Sequence, residues 1–281
     1  MGVIKGKVGN LKKKLLITMG CSHTQGLGCW DMNLPYPAGF NARHKEFGYW
    51  TEFNRNRFHE LGWPNRLGKK LGYDKVINLG QGGSSTSAQL KRFMLKYVDK
   101  EFSEYEVLVS WLVTESLRTS FFRDGACESL MANVFDNDKK TLFDSIYKFI
   151  SENGKRTDVH TTLDYVREEY INRKVVKTIC ELKGWNFISF HTQTHQYGDM
   201  IRYIYGDDKT HSFTDIGFIH ENDENLISKF CGHFNEDGYE MISNNMFNWI
   251  KTTHPYLISN SQKDEIEWEW DGVSGFDLGK L

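Results

Sequence analysis

Leu15-Leu16-Ile17-Thr18-Met19-Gly20-Cys21-Ser22-His23-Thr24-Gln25-Gly26 decides the reading of this chain. A short apolar run rich in bulky residues stops at a glycine, which marks a buried strand ending in a turn. The lysines before it (Lys12, Lys13, Lys14) stay exposed. A serine two residues past the strand end sits where a strand-to-helix turn exposes its hydroxyl and aims backbone N–H groups at whatever binds there. The same grammar recurs downstream. Val76-Ile77-Asn78-Leu79 is a second strand closed by Gly80-Gln81-Gly82-Gly83, and Ser84-Ser85-Thr86 caps a helix over 86–99. Val107–Leu112 and Trp185–Phe190 are a third and a fourth strand. Helices are expected over 63–71, 139–153, 161–183 and 235–251, with a short one near 50–60.

Strands that alternate with helices imply a parallel sheet covered on both faces. The expected fold is therefore α/β: a three-layer α/β/α, flavodoxin-like domain over 1–256. A helical insertion is placed at about 119–183, and residues 257–281 form an acidic tail containing Trp268 and Trp270. Ligands of such sheets sit at the carboxyl ends of the strands. The loops that start at Gly20, Gly80 and about residue 111, and the one after Phe190, are the ones to inspect.

Composition excludes several classes. The chain has 281 residues, with 35 Lys+Arg against 37 Asp+Glu, a net charge of −2. That balance makes no electrostatic case for nucleic acid as a partner. No apolar run reaches the roughly 18–20 residues of a membrane-spanning helix. The run at 15–20 is too short for the core of a signal peptide. Five cysteines, scattered and odd in number, favour free thiols over a disulfide framework. The expected location is the cytoplasm. His191 and His195 are four apart but follow a strand and have no Glu between them, so no metal is expected.

Three segments carry candidate chemistry. Ser22 is a candidate nucleophile. An N–H of the Gly80–Gly83 loop is a candidate oxyanion donor, since glycine lets backbone come close to a ligand. His233, in Gly232-His233-Phe234-Asn235-Glu236-Asp237-Gly238, stands just before the last helix, where it can accept a serine proton. Cys21 is a neighbouring nucleophile candidate, with Ser22 preferred by register.

These blocks, in this order across residues 14–251, resemble the SGNH (GDSL-type) hydrolase family. The resemblance implies acyl-ester hydrolysis without a cofactor, with Ser22 as nucleophile, His233 as base, and the N–H groups of Ser22 and Gly83 in the oxyanion hole. Met19-Gly20-Cys21-Ser22 is also similar to hydrolase-like proteins encoded by phages, which extends the expected location to a host cytoplasm or a virion.

The chain departs from the family pattern at three places. Cys21 replaces an Asp. The third block, Ser110–Arg118, lacks the oxyanion Asn, leaving Thr114 or Ser116 to donate. The position three before His233 is Phe230 rather than Asp. Asp223, Glu224, the more distant Asp215 or a backbone carbonyl remain to orient the base. His23, Trp111 and Arg118 are expected to contact the substrate. That substrate is a small-molecule or glycan ester, and a carbohydrate O-acetyl ester is the first choice because nine aromatics fall between residues 30 and 63. The competing expectation is an inactive scaffold of this fold that binds a glycan or a protein.

Overall fold

The structure, a computed structural model, describes residues 12–29, 52–82, 84–113, 118–123, 126–131, 159–191 and 233–270. Its centre is a five-stranded sheet built from β1 (Lys13–Met19), β2 (Lys75–Asn78), β3 (Tyr105–Val113), β6 (Asn186–His191) and β7 (Glu267–Trp270). The strand order is β6-β3-β1-β2-β7, and every neighbouring pair is parallel. Between them in sequence come α1 (Ser22–Gln25), α2 (Glu52–Leu61), α3 (Trp63–Leu71), α4 (Thr86–Tyr97), the hairpin β4 (Arg118–Arg123) and β5 (Ala126–Met131), α5 (Val159–Leu182) and α6 (Glu236–Thr253).

β1 shows why the sheet is covered twice. Successive side chains of a strand point to opposite faces. Leu16 joins a core with Phe58 of α2, Leu67 of α3 and Met246 of α6. Leu15, Ile17 and Met19 join a second core with Phe93 of α4 and Val176 of α5. Leu15, Leu16 and Ile17 are all fully buried, and each contributes about 1.5–3 kcal/mol of burial. The register puts Ile17 between Ile77 and Val109, so the apolar rows run unbroken across the three central strands. The three-layer α/β/α arrangement expected from the sequence is the one observed.

Ionic contacts tie the helices of the first face together. Arg66 and Lys70 of α3 both pair with Glu240 of α6, and Lys70 Nζ lies 2.7 Å from the carboxylate. Burial alone would raise the Glu240 carboxyl, but hydrogen bonds from Lys70 and Arg66 hold it below its ordinary value. Local signals at the helix ends also match the sequence: Ser85 caps α4 by accepting from the Ala88 N–H at 3.2 Å.

Two expectations need correction. The stretch placed at the start of a helical insertion, 118–131, is an antiparallel hairpin in which Arg123 pairs with Ala126. Its strands carry Thr119, Phe121 and Phe122, and Asp124-Gly125 separates them in sequence, a strong hairpin signal. The expected helix at 139–153 lies outside the described residues. The tail drawn from 257 onwards also does not stand apart from the sheet: Glu267–Trp270 is its edge strand, paired with Lys75–Asn78. The chain reaches that edge along α3. Ser259 N donates to Leu71 O, Lys263 N to Lys69 O and Glu267 N to Asp74 O.

Candidate active site

The strand order reverses at β1. The next strand, β2, lies on one side of it and β3 on the other, so the crevice beyond the carboxyl ends of β1 and β3 is the topological switch point. Ser22 stands there, the first residue of α1, with 5% of its surface exposed. The turn is closed by Thr24 N and Gln25 N donating to Cys21 O, and by Gly26 N donating to Ser22 O. Cys21 itself is buried in the core.

The β2 loop is fitted against this turn. Asn78, the last residue of β2, is the joint. Its Oδ1 accepts from Gly80 N at 2.8 Å, and its Nδ2 donates to Thr24 O at 2.8 Å. Gly82 N donates to Gln25 Oε1 at 2.8 Å, and Gln81 N donates to Gly20 O at 3.2 Å. Gly80 has to be glycine for steric reasons: a Cβ there would lie 2.5 Å from the Thr24 carbonyl carbon and 2.8 Å from Gln25 Cα. A Cβ on Gly82 would lie 3.8 Å from Ser22 Cβ, which measures how close this loop comes to the candidate nucleophile.

His233 arrives with the start of α6. Asn235 caps that helix by accepting from Gly238 N at 2.9 Å. Tyr239 donates its hydroxyl to Leu27 O at 2.7 Å and packs edge-on against Phe234, so the helix start is fastened to the segment that follows Ser22. Gly28 permits the approach. Its φ is +115°, and a Cβ there would lie 3.1 Å from His233 Cβ. The outcome is a pair of imidazoles, His23 and His233, with ring centroids 5.1 Å apart.

Ser22, His23 and His233 are thus brought to one place. Trp111 is not part of it. Its side chain is fully buried in the second core, where Nε1 donates to Gln89 Oε1 at 2.6 Å, so the expected substrate contact is corrected to a packing role. β3 residues alternate faces, and Trp111 points to the α4–α5 side with Val107 and Val109. Gly83, Thr114, Ser116 and Asp223 lie outside the described residues, and of Arg118 only the backbone, at the start of β4, is described. Three residues near the site went unrecognised in the sequence. Gln25 holds the Gly82 amide. His59 of α2 is buried with Nδ1 3.3 Å from Asn78 Nδ2. Trp270 donates to Gly80 O. The alternation Glu267-Trp268-Glu269-Trp270 was the available signal for the last of these.

Among the described residues, no group of three or more His, Cys, Asp or Glu side chains is placed to hold a metal ion, and no helix is long and apolar enough to cross a membrane. No family model and no curated protein matches the sequence. Solved structures do match in shape. One is a carbohydrate esterase whose active site is described as having divergent catalytic and non-catalytic binding functions. It has a TM-score of 0.50 and 11% identity, over 88% of this chain and 68% of its own. Another is the lipase Lip_vut3 from a goat rumen metagenome, with a TM-score of 0.47 and 11% identity, over 84% of this chain and 97% of its own. At such identity a likeness speaks for architecture alone. This chain has the flavodoxin-like α/β fold that the carbohydrate esterase also has.

Proposed function

We propose that the protein is a serine hydrolase of acyl esters with Ser22 as nucleophile and His233 as base. One observation carries the reading: Ser22 stands at the switch point of the sheet, close to the glycine loop and next in the chain to His23, whose ring lies against His233. In this mechanism Ser22 Oγ attacks the acyl carbonyl as His233 takes the hydroxyl proton. The tetrahedral oxyanion collapses, the proton passes to the leaving alcohol, and an acyl-serine remains. Water, deprotonated by His233, then releases the acid and restores Ser22.

The oxyanion donors are the Ser22 and Gly83 N–H groups, with Thr114 or Ser116 as a third. The amides of Gly80, Gln81, Gly82 and Ser84 are already committed to Asn78 Oδ1, Gly20 O, Gln25 Oε1 and Gln81 O. That commitment supports Gly83 as this loop's donor. Asp223 is proposed to orient His233, and Arg118 and His23 to contact the substrate. A carbohydrate O-acetyl ester is the proposed substrate, supported by the aromatic content of residues 30–63.

A second reading, a scaffold of this fold that binds its ligand without turnover, is favoured by Phe230 at the usual carboxylate position. One experiment separates the two. A fluorophosphonate probe labels Ser22 of an active enzyme, and Ser22→Ala removes both labelling and hydrolysis of an activated aryl acetate at an unchanged melting midpoint. Full turnover by Ser22→Ala overturns the mechanism, and absence of labelling in the native protein selects the scaffold.

A further inference from the structure

The peptide unit joining Gly80 to Gln81 is held from two sides. Its N–H, on Gln81, donates to Gly20 O in the turn that carries Ser22. Its carbonyl, on Gly80, accepts from Trp270 Nε1 at 3.1 Å. A planar peptide pinned at both ends cannot rotate. The carbonyl before it, Leu79 O, is held by Arg92 Nη1 at 2.8 Å. Trp270 comes from β7, the strand most distant in sequence from this loop.

The same indole stacks on His59, with centroids 5.2 Å apart and planes 25° apart, and Trp268 packs on that ring at 5.6 Å. His59 in turn meets Asn78, whose amide orientation is set by accepting from Gly80 N and donating to Thr24 O. The atom facing His59 Nδ1 is therefore a donor, which matches an accepting ring nitrogen there. From β7, one route leads straight to Gly80. A second leads through His59 and Asn78 to both Gly80 and Thr24. Each ends on the backbone that flanks Ser22.

We propose that Trp270 and His59 are positioning residues, and that β7 is a strap clamping the Gly80–Gly82 backbone against the Ser22 turn. The strap itself rests on geometry alone, and its effect on catalysis rests on the hydrolase reading above.

Trp270→Phe keeps an aromatic ring but removes the N–H, while Trp270→Ala removes both contacts. In the full chain, amide-resolved hydrogen exchange of Gln81 and Gly82 should speed up roughly three- to ten-fold in Trp270→Phe, the worth of one hydrogen bond. It should speed up further in Trp270→Ala, with β1 amides and the melting midpoint little changed in Trp270→Phe. With an activated aryl acetate, kcat should fall by a similar factor at unchanged KM. Unchanged exchange at Gln81 refutes the strap. Faster exchange at unchanged kcat refutes the positioning role. An equal speeding across the whole sheet makes Trp270 an ordinary packing residue and also refutes it. A native protein with no turnover at all refutes the hydrolase reading, and with it the positioning of catalysis, while the exchange result still decides the strap.

Discussion

Gly80→Ala tests the packing on which the site depends. The added Cβ would lie nearest to Gln25 N and 2.5 Å from the Thr24 carbonyl carbon, whereas ordinary contact begins at 3.4 Å, so at least about 0.9 Å must open between the loop and the Ser22 turn. Both neighbours named at this position, Thr24 and Gln25, oppose with backbone, which has no rotamer to escape into. A displacement near 1 Å in a catalytic constellation costs on the order of 100-fold, or about 2.7 kcal/mol of barrier. The same overpacking costs about 1–3 kcal/mol of stability. Gly82→Ala is the matched control. Its nearest contact is Gln25 Oε1 at 3.3 Å, the far end of a flexible side chain, so it should cost about 0.5 kcal/mol or less. Steady-state hydrolysis of an activated aryl acetate and urea midpoints, measured on both variants, give the comparison. Full kcat/KM and an unchanged midpoint in Gly80→Ala would falsify the close approach of the two loops.

Two further outcomes follow from contacts around the site. Tyr239→Phe strips the donor from Leu27 O inside the core and should cost about 1–3 kcal/mol in urea unfolding; a loss below 0.5 kcal/mol, a fraction of that range, refutes the anchoring role of the hydroxyl. Stability should also fall on acidification. Burial lowers His254 below its ordinary 6.5, and salt-bridging hydrogen bonds lower Glu240 and Asp74 below 4.5 and 3.8. Each folded form binds protons less readily than the unfolded chain. Their contributions are therefore complete above those ordinary values and are lost as pH falls through the lower folded ones. A melting midpoint should decline shallowly below pH 6.5 and steeply below about pH 4; a midpoint that rises on acidification contradicts the assignment.

Much of the sheet was legible because its central strands are apolar on both faces. Leu15–Met19 and Val107–Leu112 have no polar alternation to confuse, and each is followed closely in the sequence by a glycine or a polar run. β7 was not legible for the opposite reason. It is an edge strand with glutamates facing solvent, four residues long, and it reads as a charged tail until β2 is seen beside it. The hairpin at 118–131 was absorbed into a neighbouring helical stretch although Asp124-Gly125 marks it. In the candidate site, Ser22 and His233 could be nominated from block order alone. Gln25, His59 and Trp270 could not, since each acts through a contact that only the folded chain creates. Trp111 shows the converse error. A large aromatic beside a candidate loop looked available for substrate, but strand alternation had already turned it inward.

The edge strand also bears on how the chain is made. Lys75 pairs with Glu267, 192 residues later, so β2 keeps a bare row of N–H and C=O groups while most of the polypeptide is being synthesised. Such long-range closure is slow, and an open edge recruits other strands. Shortened translation products ending before residue 267 would carry that exposed edge permanently, and they are the species from which misassembly of this protein should start.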